Sequence, residues 1–490
     1  MRTPKRLLPL VGRWGPVLLA ALVVYYVIRA PISLALSSSN VNNVKGSQKG
    51  VDSKGQNGAN VQGPPKNPME EANRLQKHYK QAPTRATPID DHFNWLTHNS
   101  QAPPVPNNNQ PPSPHVEEAT PLIIGFTRNW PMLLQCVSSY LAAGWPASDI
   151  YVIENTGVFS ANQHGELSLQ NPFFLNHTAL HQLGVNVLVT PALLNFAQLQ
   201  NYYLHTALQR GWRYFFWSHQ DVIVFSDEDV RKKDRDHDWD HDPFATIYER
   251  SIGLMRYLNG PDMPPWATHF FSYDHFTLVN RDAYLSVGAW DTHIPFHAAD
   301  CDMYLRLHWA GFWQPQSESG LVFDVATAMT DIGALYRLPG SHAAFEGDPV
   351  FATGSDRTRP HRAAELKREE DMYDWVEKEG ESFTHLVEVA ERMQEVKWAY
   401  QGAFANKWQS RQDGGEGDPF YRDPEGFGHG FDTIQDAGMR VFADKWGHRG
   451  CDLLEIGIEG KDAWRLERDW DINQSPGSEG GNWGKDWRTE

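Results

Sequence analysis

The stretch Trp212-Arg213-Tyr214-Phe215-Phe216-Trp217-Ser218-His219-Gln220-Asp221 holds an aromatic run, Tyr214 to Trp217, bounded by Gly211 and a polar tetrad. The run is too short for a helix and reads as a buried strand. Its carboxyl end bears Ser218, His219, Gln220 and Asp221 before apolar chain resumes at Val222 to Phe225. Polar groups at the carboxyl end of a central strand stand where open α/β sheets bind ligands. His219 and Asp221 are two apart and point the same way on an extended chain, so an imidazole nitrogen and a carboxylate oxygen could hold one divalent cation. A solvated strand end is the plainer alternative.

The flanks set this strand in a repeating pattern. Leu122 to Phe126 is a continuous apolar strand that ends in the polar turn Thr127-Arg128-Asn129. Pro131 suits a first helical turn, and Leu133, Leu134, Val137, Tyr140 and Leu141 recur at helical spacing until Gly144. Ile150 to Ile153 is a second strand, ending in Glu154-Asn155-Thr156-Gly157, and Val185 to Val189 a third. Phe196 to Arg210, closed by Gly211, is the helix that leads into the central strand. Strands and helices alternating at short spacing mean an α/β fold, a mostly parallel sheet with helices on both faces. Phe270-Phe271 and Phe276 to Val279 are further strand candidates.

The rest of the 490-residue chain brackets this block. Residues 1–13 carry Arg2, Lys5, Arg6 and Arg13, and Trp14 to Leu36 is nearly all apolar. About 20 apolar residues span a bilayer, and the basic flank keeps the N-terminus cytosolic. The expectation is a signal anchor at 14–36, with a cleaved signal peptide as the rival. Residues 37–118, rich in Asn, Gln, Pro, Ser and Gly, read as a disordered stem. The globular domain is expected at 119–345, and 346–490 as a helical and loop-rich extension with a solvated helical part near Ala363 to Tyr400 and a loop at Gly414 to Gly430. A net charge of -17 argues against nucleic acid as a partner. Three cysteines, Cys136, Cys301 and Cys451, allow at most one bridge.

A second constellation follows the central strand. Val287-Gly288-Ala289-Trp290-Asp291 precedes Asp300-Cys301-Asp302 and Arg306, with Gly311 closing that helix. Asp300 is expected at or before the helix N-cap, while Asp302 and Arg306 are spaced to pair at i, i+4. The order of these strand ends, then Gly-Ala-Trp-Asp and Ala-Asp-Cys-Asp-x-x-x-Arg, resembles the GT-A fold glycosyltransferases over about Pro121 to Leu338. Within that fold it looks most like inverting enzymes with a Gly-Gly-Phe-Asp-like turn followed by a Glu-Asp pair.

The resemblance implies a nucleotide-sugar donor, a glycan or glycoprotein acceptor, and residence in the Golgi or ER membrane with the catalytic domain luminal. It sets the Asp-x-Asp motif on His219-Gln220-Asp221, with His219 in place of the first Asp and Asp221 as metal ligand. It sets Ala299-Asp300 on the Glu-Asp pair, with Asp300 as catalytic base. Thr127, Arg128 and Glu154 are the implied donor contacts. Mn²⁺ or Mg²⁺ is the implied cofactor, His219 favouring Mn²⁺, and a late histidine, His342, is the candidate third ligand. Gln198 and Asn201, one helical turn apart, could face the diphosphate, with an ordinary polar helix face as the alternative. Two other readings stand beside this one: a non-catalytic carbohydrate-binding or scaffolding protein, and a metal-dependent hydrolase using the acidic cluster His237 to Asp242.

Overall fold

The computed structural model describes residues 80, 89–228, 244–349, 380–399 and 414–469. The apolar stretch 14–36, most of the segment read as a stem, and the cluster His237 to Asp242 lie outside them. No helix among the described residues is long and apolar enough to cross a membrane.

Strand β1 (Leu122–Phe126) runs parallel to β2 (Ile150–Glu154) on one side and β4 (Tyr214–Ser218) on the other. β3 (Asn186–Val189) extends the parallel set beyond β2. β7 (Phe276–Asn280) joins antiparallel to β4, and β6 (Thr268–Ser272) antiparallel to β7, giving the order β3-β2-β1-β4-β7-β6. The expected mostly parallel sheet is present. β5 (Val222–Phe225) leaves it and pairs antiparallel with β8 (Leu321–Asp324) in a separate two-stranded sheet. The turn from His219 to Asp221 is therefore where the chain passes from one sheet to the other.

Helices α1 (Asn94–His98), α2 (Trp130–Ala142), α3 (Phe159–Gln163), α4 (His177–Gln182) and α5 (Phe196–Arg210) fill the first half. Helices α6 (Ile247–Leu258), α7 (Arg281–Ser286), α8 (Ala299–Trp309), α9 (Phe383–Ala399) and α10 (Pro424–Trp446) follow. The local start and stop signals act as caps. Asn129 accepts from the Met132 N–H ahead of α2, and Gly211, at φ 71°, closes α5 in a conformation that suits glycine.

The strand alternation divides the interior into two cores. Leu122, Ile124, Phe126 and Phe216 face a core shared with α2, α6 and α9, while Ile123, Phe215 and Trp217 face one shared with α5, α7 and α8. At Gly125 a Cβ would lie 2.1 Å from Tyr203 Oη and 2.9 Å from Leu199. β1 can approach α5 this closely because that position has no side chain.

Three expectations are corrected. Residues 89–118 are not a free stem: Phe93 is buried and stacks on Tyr336, the Ile332 N–H donates to the His92 carbonyl at 2.8 Å, and Asn109 Nδ2 donates to the Ala142 carbonyl at 2.9 Å. Composition averages over the whole segment, whereas this part is held by a few apolar anchors, Phe93, Trp95, Leu96 and Val116, and by hydrogen bonds to its neighbours. The stretch read as a loop at Gly414 to Gly430 is helical from Pro424, where Asp423 accepts from the Gly426 N–H. Nor is the late helical segment merely solvated, since α9 buries Leu386, Val389, Ala390 and Met393 in the first core. α10 buries Phe442 and Trp446 in the second.

Cys301, in the first turn of α8, is bridged to Cys451, 150 residues later, with Cα atoms 5.9 Å apart. Cys136 remains a buried free thiol. A bridge across so long a loop stabilises by about 2–5 kcal/mol. Cys451→Ser is expected to lower the unfolding free energy by about that amount in a denaturant titration. Reductant should reproduce the loss in the parent and leave the variant unmoved.

Candidate active site at the carboxyl edge of the sheet

Because β1, β2 and β4 are parallel, their carboxyl ends open on one edge. Antiparallel β7 brings the β6–β7 turn, Tyr273 to His275, to the same edge: Ser218 pairs with Phe276, and the His219 N–H donates to the His275 carbonyl at 3.0 Å. Gln220 Nε2 donates to the Arg128 carbonyl at 2.7 Å and ties the end of β4 to the loop after β1.

Asp221 is buried here, and its partner comes from far along the chain. Lys397 of α9 donates from Nζ to Asp221 Oδ2 at 2.8 Å, to Asp324 Oδ1, and to the Val325 carbonyl at 3.3 Å. Asp324 ends β8 opposite Val222, so the two-stranded sheet sets it beside Asp221. His219 Nδ1 lies 3.5 Å from Asp221 Oδ1, and His275 Nε2 lies 3.7 Å from Asp324 Oδ2. Burial works against the Asp221 charge, but the Lys397 ammonium and His219 hold its carboxyl well below the usual range. For His219, burial opposes protonation, yet the Asp221 hydrogen bond and the fields of Asp274, Asp221 and Asp324 lift the imidazole to about 9. Burial and the neighbouring Asp221 push Asp324 up, against the pull of Lys397.

This arrangement bears directly on the expected metal. The position between Asp221 and Asp324 is filled by an ammonium whose three protons all meet oxygen acceptors. Among the described residues no group of three His, Cys, Asp or Glu side chains is placed to hold a metal ion. His342 directs its backbone N–H to the Asp331 carboxylate at 3.3 Å and does not complete a ligand set with Asp221 and His219. The residues as placed do not fit a divalent ion.

Asp300 is the second residue of α8 and not its cap, which is Ala298 at φ 67°. Its carboxylate accepts from Tyr273 Oη at 3.1 Å. Tyr273 itself holds φ 42°, a strained value for a side chain of that size, on the turn that faces α8. Beside it Asp274 is pushed up by burial and by the charge of Asp300, with His219 and His275 pulling the other way. Asp302 is fully buried and pairs with Arg306 at 2.8 Å as its spacing predicts, with Lys445 at 2.7 Å on its other oxygen. That pairing anchors α8 and leaves Asp300 as its half-exposed acid.

The other candidates sort by what their atoms touch. Glu154 is buried and accepts from Thr156 Oγ1 at 2.9 Å, from Asn162 Nδ2 at 2.8 Å and from His177 Nε2 at 2.7 Å, so both oxygens are engaged within the protein. Gln198 closes the capping box of α5 with Asn195. Asn201 clamps the Trp290 backbone, donating to its carbonyl and accepting from its N–H, each at 2.9 Å. Thr127 Oγ1 accepts from Asn155 at 3.3 Å. Arg128 is buried, with its guanidinium over Phe427. Asp274, His275, Asp324, Lys397 and Arg422 were not singled out from the sequence. Asp324 does close an apolar strand, the pattern that drew attention to Glu154 and Asp221.

No protein-family model matches the chain, and no curated protein sequence matches it. Solved structures similar to it include a mannosyltransferase from Pyrobaculum calidifontis in complex with GDP-Man and Mn²⁺, at 10% identity and a TM-score of 0.27, covering 43% of this chain and 57% of that one. A cytidylyltransferase from Leptospira borgpetersenii matches at 10% identity and a TM-score of 0.27, over 41% of this chain and 76% of its own. The catalytic domain of Drosophila beta1,4galactosyltransferase 7 matches at 11% identity and a TM-score of 0.22, over 41% and 64%. These structural neighbours are thus glycosyltransferases together with a nucleotidyltransferase.

Two outcomes follow from the cluster. Mn²⁺ is expected to leave the melting temperature of the parent unchanged. Lys397→Ala should melt lower, since breaking a buried pair costs about 3–5 kcal/mol, and should recover part of the loss with Mn²⁺. His219 titrates at about 9 when folded against 6.5 in its ordinary state. Its contribution is therefore complete below pH 6.5 and lost as pH rises through about 9. Unfolding free energy should fall across that window by roughly 3 kcal/mol, and His219→Gln should flatten the curve.

Proposed function

We propose that the protein transfers a sugar from a nucleotide-diphosphate donor to a hydroxyl of a glycan or glycoprotein, with Asp300 as general base. The observation that carries this reading is the division of carboxylates at one sheet edge. Asp221 and Asp324 both pair with Lys397 inside the fold, whereas Asp300 stands half-exposed in the first turn of α8. A carboxylate already committed to an ammonium cannot serve as a proton acceptor for substrate, whereas one that reaches the opening can come within hydrogen-bond distance of an acceptor hydroxyl.

In this reading Asp300 takes the acceptor hydroxyl proton as that oxygen bonds to the anomeric carbon. The bond from that carbon to the diphosphate breaks, and its electron pair leaves with the nucleoside diphosphate. One displacement inverts the anomeric configuration. Charge then builds on the leaving phosphate and has to meet fixed positive groups. Mn²⁺ or Mg²⁺ belongs to this scheme only if Lys397 withdraws from Asp221.

The Cys301–Cys451 bridge supports an oxidising compartment, such as the lumen of the ER or Golgi. The basic residues ahead of 14–36 support a single-pass anchor with this unit on the luminal side.

Asp300→Asn is the test, because the amide keeps an oxygen for the Tyr273 hydroxyl but cannot take a proton. Turnover with a matched donor and acceptor should fall by roughly 10²- to 10⁴-fold, with donor affinity and melting temperature unchanged. A transfer rate close to that of the parent would move the base elsewhere, to Asp274 first. Absence of transfer and of donor hydrolysis across a panel of sugar nucleotides would favour the carbohydrate-binding reading.

A further inference from the structure

Two guanidiniums share an aromatic pocket next to the acid cluster. Arg128, at the end of β1, is 5% exposed, and its Cζ lies 5.1 Å from the ring centre of Phe427 and 5.6 Å from that of Phe431. Arg422, just ahead of α10, has its Cζ 4.0 Å from the ring centre of Phe173 and 5.7 Å from that of Phe427. Arg422 Nη2 donates to the Thr156 carbonyl at 3.4 Å, while its Nη1 is buried with no hydrogen-bond partner. Neither guanidinium is ion-paired with an acid among the described residues, although Asp and Glu outnumber Lys and Arg by 61 to 44 in the chain. Both line one narrow pocket with Asn171, Phe173, Tyr421 and Phe427, partly open to solvent and with about 10 Å³ of free space inside, so that a larger anion would meet the guanidiniums at its mouth. Burial and the field of Arg422 together lower the proton affinity of Arg128, to about 10.

Two like charges side by side, Arg128 buried and Arg422 half-buried, without a counter-ion are a costly arrangement. Ring faces offset part of the charge, but they cannot accept the N–H groups a guanidinium presents. What completes such a pocket is an anion with several acceptor oxygens, and guanidinium pairs suit phosphate in particular. The pocket also lies at the right place. The Arg128 carbonyl accepts from Gln220, the residue beside Asp221, so one wall of the pocket joins the acid turn. Lys397, with its protons already directed at Asp221, Asp324 and Val325, has none left for a ligand.

We infer that Arg128 and Arg422 form an anion site for phosphate groups, and that it holds the diphosphate of the donor in place of a divalent ion. The assignment to a donor rests on the glycosyl-transfer reading; the anion site itself does not. Arg422 belongs to the C-terminal segment, which thereby supplies part of the site.

The experiment uses the intact protein in EDTA, with inorganic pyrophosphate and a panel of nucleoside diphosphates as probes, followed by calorimetry and thermal melting. Pyrophosphate should bind and raise the melting temperature, with affinity falling as salt rises. Arg422→Met should weaken binding at least ten-fold without lowering the ligand-free melting temperature, because it also removes a like-charge contact. Arg422→Lys should retain part of the affinity, which separates charge from packing. The inference is overturned if pyrophosphate leaves the parent unmoved, or if Arg422→Met binds it as the parent does. Binding of pyrophosphate with no nucleoside diphosphate bound would keep the anion site and overturn the donor assignment, while the glycosyl-transfer reading stands or falls on transfer and donor hydrolysis across the sugar-nucleotide panel.

Discussion

Lys397 between Asp221 and Asp324 is the contact on which the site's geometry depends. The turn at Asp221 carries the chain from the large sheet to the small one, and β8 returns with Asp324 at its end. Two carboxylates brought together inside a protein repel and cannot both stay ionised without a cation between them. The ammonium answers that constraint and fastens α9 to the point where the sheets meet. The surrounding acids, not the ammonium, are why His219 takes a proton readily. With Asp221, Asp274 and Asp324 all around it, the acid cluster has more negative charge than one lysine can balance.

The same logic separates candidate residues that look alike in sequence. Glu154 and Asp324 each close an apolar strand and Asp221 lies in the turn after one, yet Glu154 is enclosed by a threonine, an asparagine and a histidine, whereas the other two share one ammonium. Asp300 and Asp302 sit two apart on one helix. Asp302 is turned inward to Arg306 and Lys445, so the helix is held rigidly while its neighbour faces the opening.

Much of the fold was readable because its determinants are local. The strand at Leu122 to Phe126, the helix from Phe196 to Arg210 and the aromatic strand after Gly211 are written in runs and caps a few residues long. The partners in the site are set by contacts across 73 to 176 residues, which no window of sequence spans. One trace was present all the same. Leu386, Val389, Ala390 and Met393 form a helical stripe, and Lys397 continues it four residues on. A lysine on an apolar stripe is a sign of a buried partner, and a reading of that segment as solvated passes over it. Arg422 offered no comparable trace, because the ring it lies closest to, Phe173, comes from a distant part of the chain. The segment at 89–118 departs from its reading for a different reason: its order rests on a few scattered apolar anchors and on hydrogen bonds that average composition does not register.

The disulfide and the lysine have a consequence for the order in which this protein is made. Asp221 leaves the ribosome 176 residues before Lys397, an interval of roughly 10 to 35 s at ordinary elongation rates. Cys301 likewise waits 150 residues for Cys451. The parallel sheet can assemble as it is synthesised, but its acid edge stays uncompensated and its α8 unfastened until the late segments arrive. The nascent chain therefore passes through a long stage in which the sheet exists and the site does not.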